Sequence, residues 1–201
     1  MRGAPKQALL PADLFDFRPD RITAEHVIAI GERFALRPPT QAQMEEGRAI
    51  AASLIDPDIA PAAAYAEAAI WSGMCALVFT ENEKVTGMVA ILFLSREGLE
   101  AVAGQGFNAR APHKLHLVRA GEPVFGGYAW GIAATSQQGG RICVAFADAV
   151  RREAFSRVPV FSRAATADGL RVLTGYLGYR PVPWGEPGVV WIDPRAEAGQ
   201  A

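Results

Sequence analysis

The residues from Tyr128 to Val150, YAWGIAATSQQGGRICVAFADAV, read as an apolar strand that runs through a glycine-bearing turn straight into an amphipathic helix. The chemistry such an arrangement supports is anion binding. The first N–H groups of a helix lack intrahelical acceptors, and the aligned peptide dipoles add partial positive charge there, so a phosphate group can be held by backbone alone. Gly139 and Gly140 permit the close backbone approach this requires. An isolated Gly-Gly turn also occurs as a plain strand-to-helix connection, so the rest of the chain has to decide between the two.

Other constellations offer less. Glu122, in the Gly-Glu-Pro turn ahead of the strand, is a candidate base, with a solvated turn charge as the alternative. His113 and His116 are three residues apart, which on a strand would set them on opposite faces, and no third ligand is near in sequence. The chain has no G-x-S-x-G elbow, no phosphate loop ending in Gly-Lys-Ser/Thr and no G-x-G-x-x-G spacing. Cys75 and Cys143 sit in apolar segments without the close spacing of a metal or redox pair, and read as reduced core thiols. Among the tryptophans, Trp184, between prolines and a glycine, is the one expected to line a pocket.

The 20 basic and 21 acidic residues nearly cancel and form no block of like charge, which excludes the basic footprint of a nucleic-acid binder. The longest apolar run, Met88 to Leu94, is far short of the ~20 residues a membrane helix requires, and the N-terminus has no continuous apolar stretch of the signal type. These features read as a soluble, cytoplasmic protein with no membrane span. A hydrophobic content of 50% supplies one sizeable core. A single domain over 13–193 is expected, with flexible segments at 1–12 and 194–201.

The elements that must position the strand–turn–helix unit follow from pattern and punctuation. Leu14 to Arg18 reads as extended, ended by Pro19. Thr23 opens a helix through Val27, Ile30 and Phe34, Thr40 caps a second through Met44, Ile50 and Leu54, and Pro61 to Trp71 is a third. Cys75 to Phe79 and Val85 to Leu94 flank a polar turn as an antiparallel hairpin. A small helix from Leu99 to Gly104 and a strand from Lys114 to Val118 precede the strand Val124 to Ala134. Along that strand Tyr128, Trp130 and Ile132 are expected on one face, with Ala129, Gly131 and Ala133 making a bare face opposite. The next helix buries Ile142, Ala145, Phe146, Ala149 and Val150. Val158 to Arg163 is a strand, Asp168 to Leu177 a helix ended by Gly178, and Tyr179 to Ile192 one or two closing strands.

This order resembles that of the GNAT acyltransferase superfamily, whose members transfer an acyl group from coenzyme A to an amine. Two local matches carry the resemblance. Gln137-Gln138-Gly139-Gly140-Arg141-Ile142 is similar to the family's Q/R-x-x-G-x-G/A, and the segment from Gly169 to Val182, with Gly178-Tyr179, resembles the family's helix ending in Gly-Phe. The likeness is best from Val124 to Val182 and only topological before it. It implies an α/β (α+β) fold with a GNAT-like mixed central sheet flanked by helices, and acetyl-CoA or another acyl-CoA as cosubstrate. It further implies that the pantetheine arm pairs with the strand at Ile132, Ala133 and Ala134. The pyrophosphate would then lie on the turn formed by Gln137, Gln138, Gly139, Gly140, Arg141 and Ile142, meeting the amides from Gln138 onward. The acceptor would be a small-molecule or peptide amine. The sequence leaves the oligomeric state open, a homodimer being one option.

The chain departs from the family pattern at two places. Ile142 stands where the family has Gly or Ala, and must either crowd the pyrophosphate or point into the core. Where the family's last helix has a tyrosine that protonates the departing thiolate, this chain has Thr174, whose alternative role is a hydroxyl bonded to the preceding turn. Tyr176 lies two residues along, about 200° around the helix. The sequence thus supports two expectations: an N-acyltransferase with Thr174, Tyr176 and Glu122 as catalytic candidates, or a GNAT-like binding or regulatory protein that has lost catalysis.

Overall fold

The computed structural model describes residues 17–184 and 187–195. The expected flexible segment 1–12, the residues before Phe17 and the tail from 196 onward lie outside the described residues. Of the expected tail, Arg195 is described: its guanidinium donates to the Asp193 carboxylate at 2.9 Å and lies 4.4 Å over the Phe17 ring.

Helix α1 (Ala24–Glu32) starts where the Thr23 hydroxyl accepts from His26 N. Helix α2 (Gln41–Leu54) starts with a capping box, Thr40 accepting from the Gln43 amide while the Gln43 side chain accepts from the Thr40 amide. Helix α3 (Ala62–Ser72) follows Pro61. Strands β1 (Ala76–Glu81) and β2 (Lys84–Leu94) form the expected hairpin. Its turn takes both Asn82 and Glu83 into the left-handed region, at φ 49° and 67°, the geometry that matches the twist of paired strands. Helix α4 is Arg96–Ala103, β3 is Gly126–Ala134, α5 is Gln137–Glu153 and β4 is Val160–Arg163. Helix α6 (Ala167–Arg171) runs on into a π turn, Val172–Tyr176, and β5 (Arg180–Pro181) and β6 (Val189–Ile192) close the sheet.

The protein is a mixed α+β structure. Its sheet has the order β1-β2-β3-β4-β6-β5, antiparallel throughout except for the parallel pair β3–β4. Each face carries its own core. Met88, Ala90, Leu92 and Leu94 of β2 pack with Tyr65 and Ala68 of α3, Ala51 of α2 and Leu99 of α4. The alternate β2 residues Val89, Ile91 and Phe93 pack with Val27 and Ile30 of α1 and with Cys143, Phe146 and Val150 of α5. A strand buried on both faces is apolar at nearly every position, which is why Val85 to Leu94 reads as a continuous run. Among the described residues, no helix is long and apolar enough to cross a membrane.

Several expectations need correction. Lys114–His116 is a 3-10 turn rather than a strand, entered from His113, whose ring nitrogen accepts from Leu115 N. Residues three apart eclipse in such a turn, so the rings of His113 and His116 lie 5.7 Å apart instead of on opposite faces. Helix α4 begins three residues before the expected Leu99, because the Ser95 hydroxyl accepts from Gly98 N and caps it. On α5 the buried line is Cys143, Phe146, Val150 and Arg151, whereas Ala145 is exposed. Trp184 is not in the wall of the large pocket beside β3; it is buried against Phe161 and Trp191. Both cysteines are free and buried, and burial pushes each thiol up to about 12.

Helix α4 lies so close to the 3-10 turn that a Cβ on Gly98 would meet the His116 carbonyl oxygen at 2.0 Å. Gly98→Ala gains about 1 kcal/mol of helix propensity, but the overlap with backbone outweighs it. The net loss expected is about 1–3 kcal/mol, read as a lower midpoint of thermal unfolding. A raised midpoint would contradict this packing.

Candidate functional site

The site begins with one extra residue in β3. Opposite β2, Ala90 pairs with Gly131 and Ile91 with Ala129, so Trp130 has no partner and forms a β-bulge. A bulge re-aims the side chains beyond it and bends its strand. Tyr128 and Trp130 therefore sit with Ala133 on the α2–α3–α4 side, while Ile132 packs on the α1–α5 side. This overturns the expected grouping of Tyr128, Trp130 and Ile132 on one face and of Ala129, Gly131 and Ala133 on the other. Strict alternation holds only while no residue is inserted. The Trp130 ring stacks on Tyr65 at 4.2 Å between centroids, and its indole N–H donates to Ala109 O at 2.6 Å.

At the bulge β3 parts from β4. The parallel ladder covers only Gly127–Val160, Tyr128–Phe161 and Ala129–Ser162. The Ser162 hydroxyl, buried at the last of these pairs, donates to Ala129 O at 3.1 Å and ties the two strands at the apex of the wedge. Beyond it the edge of β3 from Trp130 to Ala134 faces a cleft of about 690 Å³. Five residues at ~3.3 Å each make about 16 Å of strand edge. Leu54 of α2, Ile55 just after it, and Val172 and Leu173 of the π turn wall the cleft, which reaches Gly140 and Val144 of α5.

The start of α5 closes the far end. Ser136 is its cap: the hydroxyl accepts from Gly139 N at 2.9 Å and the carbonyl from Gly140 N at 3.0 Å. Arg141 and Ile142 are already inside the helix, so among the described residues the amides left without an acceptor are those of Gln137 and Gln138. The expected donor set from Gln138 onward thus moves toward the N-terminus. The two glycines divide their work. A Cβ on Gly139 would stand 2.9 Å from Thr86 O, so this glycine lets the helix approach β2, whereas a Cβ on Gly140 would meet only Ala134 Cβ at 3.9 Å, on the cleft side. Ile142 packs against the α1–α5 core and is not in the cleft wall. Of the two options for Ile142, the helix takes the one that leaves the cradle open.

The catalytic candidates fare differently from the binding stretch. Thr174 is exposed, and its hydroxyl donates to Leu170 O at 2.8 Å. Tyr176 is 76% exposed, turned to solvent by the π turn, in which Leu177 N bonds Val172 O. Glu122 accepts from Arg119 N in a turn at the other end of β3. None of the three lines the cleft. The polar side chains that do are Ser162, Arg163, Thr166 and Asp168. Thr166 caps α6 by accepting from Gly169 N, and Asp168 pairs with Arg171 at 2.8 Å. Ser162 carries no sequence signal, being one hydroxyl in an apolar strand. Ser136 does carry one, a serine directly before a helical period, and the glycines drew attention away from it.

No protein-family model matches the chain, and no curated protein matches it.

The Ser136 hydroxyl also donates to the Glu81 carboxylate at 2.5 Å, which holds that carboxyl below its ordinary value. The resulting stabilisation is present above the ordinary carboxylate range and is lost as pH falls through the lowered pKa. Ser136→Ala should cost about 1 kcal/mol at neutral pH through loss of the cap. It should also let the Glu81 titration, followed by NMR, rise toward its ordinary value, with the contribution of Thr86 retained. An unchanged Glu81 titration in that variant would show that Ser136 is not its partner.

Proposed function

We propose that this protein is an acyl-CoA-dependent N-acyltransferase with a GNAT-like fold, acting on a small-molecule or peptide amine. The observation that carries the reading is the short β3–β4 ladder, three pairs long, which frees the edge of β3 over a cleft ending at the start of a long helix. A free strand edge accepts an amide-bearing chain by main-chain pairing. A helix start with open amides accepts a diphosphate. Coenzyme A has both parts in that order, and the Gly140 side of the helix leaves it room.

In the reaction the amine nitrogen attacks the thioester carbon, the C–S bond breaks, coenzyme A leaves as the thiol and the nitrogen loses one proton. The chain's own contribution is to hold the two reactants together and to offer β3 amides to the developing oxyanion, effects that can each lower a barrier by several kcal/mol. The position of Thr174, Tyr176 and Glu122 outside the cleft supports a second reading: a protein that binds acyl-CoA without turning it over.

Calorimetric titration with acetyl-CoA and longer acyl-CoAs tests binding, and absence of binding with all of them would defeat both readings. Gly140→Asp separates a cofactor site from a mere helix start. A carboxylate in the first turn favours the helix and replaces glycine, so the fold should be as stable or more so. The same charge should weaken acyl-CoA binding at least tenfold. Unchanged affinity in the folded variant would exclude this helix end as the pyrophosphate site. Formation of an acylated amine and free thiol by the wild type then decides between turnover and binding alone.

A further inference from the structure

We infer that the 3-10 turn Lys114–His116 is a pH-sensitive latch on the β3 bulge, closed while the His113 and His116 rings are neutral and opened when His116 takes a proton. The inference concerns the geometry of the cleft and stands apart from the acyltransfer reading. The turn is fastened to the start of α4 through backbone groups. Ser95 N donates to His116 O at 3.1 Å, the Ser95 hydroxyl donates to Leu115 O, and the absence of a Cβ on Gly98 lets α4 approach the His116 carbonyl. Residues 104–113 join α4 to the turn, and this loop holds the bulge. The Phe107 ring contacts both His116 and Tyr128, at 5.9 and 4.9 Å between centroids, and Ala109 O accepts from the Trp130 indole N–H. Only Phe107 and its loop separate the imidazole from the inserted tryptophan.

The arrangement of the two rings requires them to be neutral. His116 Nδ1 is shut off from solvent and has no hydrogen-bond partner among the described residues. An imidazolium carries a proton on each nitrogen, so charging this ring places an N–H there without an acceptor. His113 Nδ1 accepts from Leu115 N, and a proton on that nitrogen turns the acceptor into a donor. The rings are 5.7 Å apart, so a charge on one opposes a charge on the other. Of the charged groups on the elements packed against the turn, Glu97 of α4 favours the charged His116 ring, and Glu100 follows one turn further along that helix. Arg96 lies over the Phe125 ring, Lys114 over the Trp71 ring, and Arg110 of the loop pairs with Asp56 and Asp58. Burial, with His113 second to it, outweighs Glu97 and holds His116 below the ordinary histidine value. The latch therefore holds fully above about pH 6.5 and weakens as pH falls from there through the lowered pKa.

The test follows the full chain by NMR from about pH 8 down to about pH 5, the range in which histidine changes charge. The Trp130 indole N–H signal should move toward the position of an unbonded indole over the same pH range in which the His116 ring titrates, while the indoles of Trp184 and Trp191, remote from the turn, stay in place. In His116→Phe, which keeps an apolar ring against Phe107 and takes no proton, the Trp130 signal should hold still throughout. A Trp130 signal that does not move as His116 titrates, or that moves equally in His116→Phe, would overturn the inference. Should that variant fail to fold, His113→Asn serves in its place, because asparagine can still cap the turn but carries no charge. It should shift the Trp130 transition to higher pH together with the His116 titration, and a transition left where it was would equally overturn the latch.

Discussion

The insertion of Trp130 into β3 is the constraint on which the rest of the site depends. A strand that kept its register along β2 would have no local reason to leave β4 after three pairs, and the wedge would close into an ordinary sheet. The extra residue is kept in place from both sides of the ring, by the stack on Tyr65 and the hydrogen bond to Ala109 O. Neither partner is close to Trp130 in sequence. The bulge is thus an outcome of the packing of α3 and of the loop after α4, and the cleft inherits its shape from them.

The helices serve the wedge in different ways. Helix α5 comes close to the sheet because Gly87 of β2 and Gly139 face one another there: a Cβ on Gly87 would stand 2.8 Å from Cys143 Sγ and 3.5 Å from Gly139 O. This contact aims the start of α5 along the freed edge of β3. Helix α2 is held on the other face, where a Cβ on Gly47 would meet Met88 Sδ at 2.8 Å, and its last residues reach the cleft mouth. The cleft therefore has one wall from each core, with the bulged strand between them.

Most of the element order was legible in the sequence, because Thr23, Thr40 and the Asn82–Glu83 turn act through local chemistry that the sequence displays. The strand–turn–helix unit was legible for the same reason. What stayed hidden depends on tertiary contacts. The bulge shifts the faces of β3, and the glycine beside it, Gly131, is ambiguous in the sequence, since a small residue in a strand serves a bare face as well as a bulge. The π turn sends Thr174 and Tyr176 to solvent, which the regular period of an α-helix does not foretell. Ser162 matters because of where Ala129 lies, and the sequence separation between them conceals it. The resemblance to GNAT proteins directed attention to the strand and helix that border the cleft, and to Thr174, Tyr176 and Glu122, which lie outside it.

The account joins a freed strand edge to a helix start and reads the pair as a place for an amide-bearing diphosphate. Its most direct test is amide hydrogen exchange of the full chain with and without acetyl-CoA. The account predicts slowed exchange confined to the β3 edge from Trp130 to Ala134 and to the amides of Gln137 and Gln138, with the distal strands β5 and β6 unaffected. Protection that falls elsewhere, or none in this stretch while acetyl-CoA is bound, would contradict it.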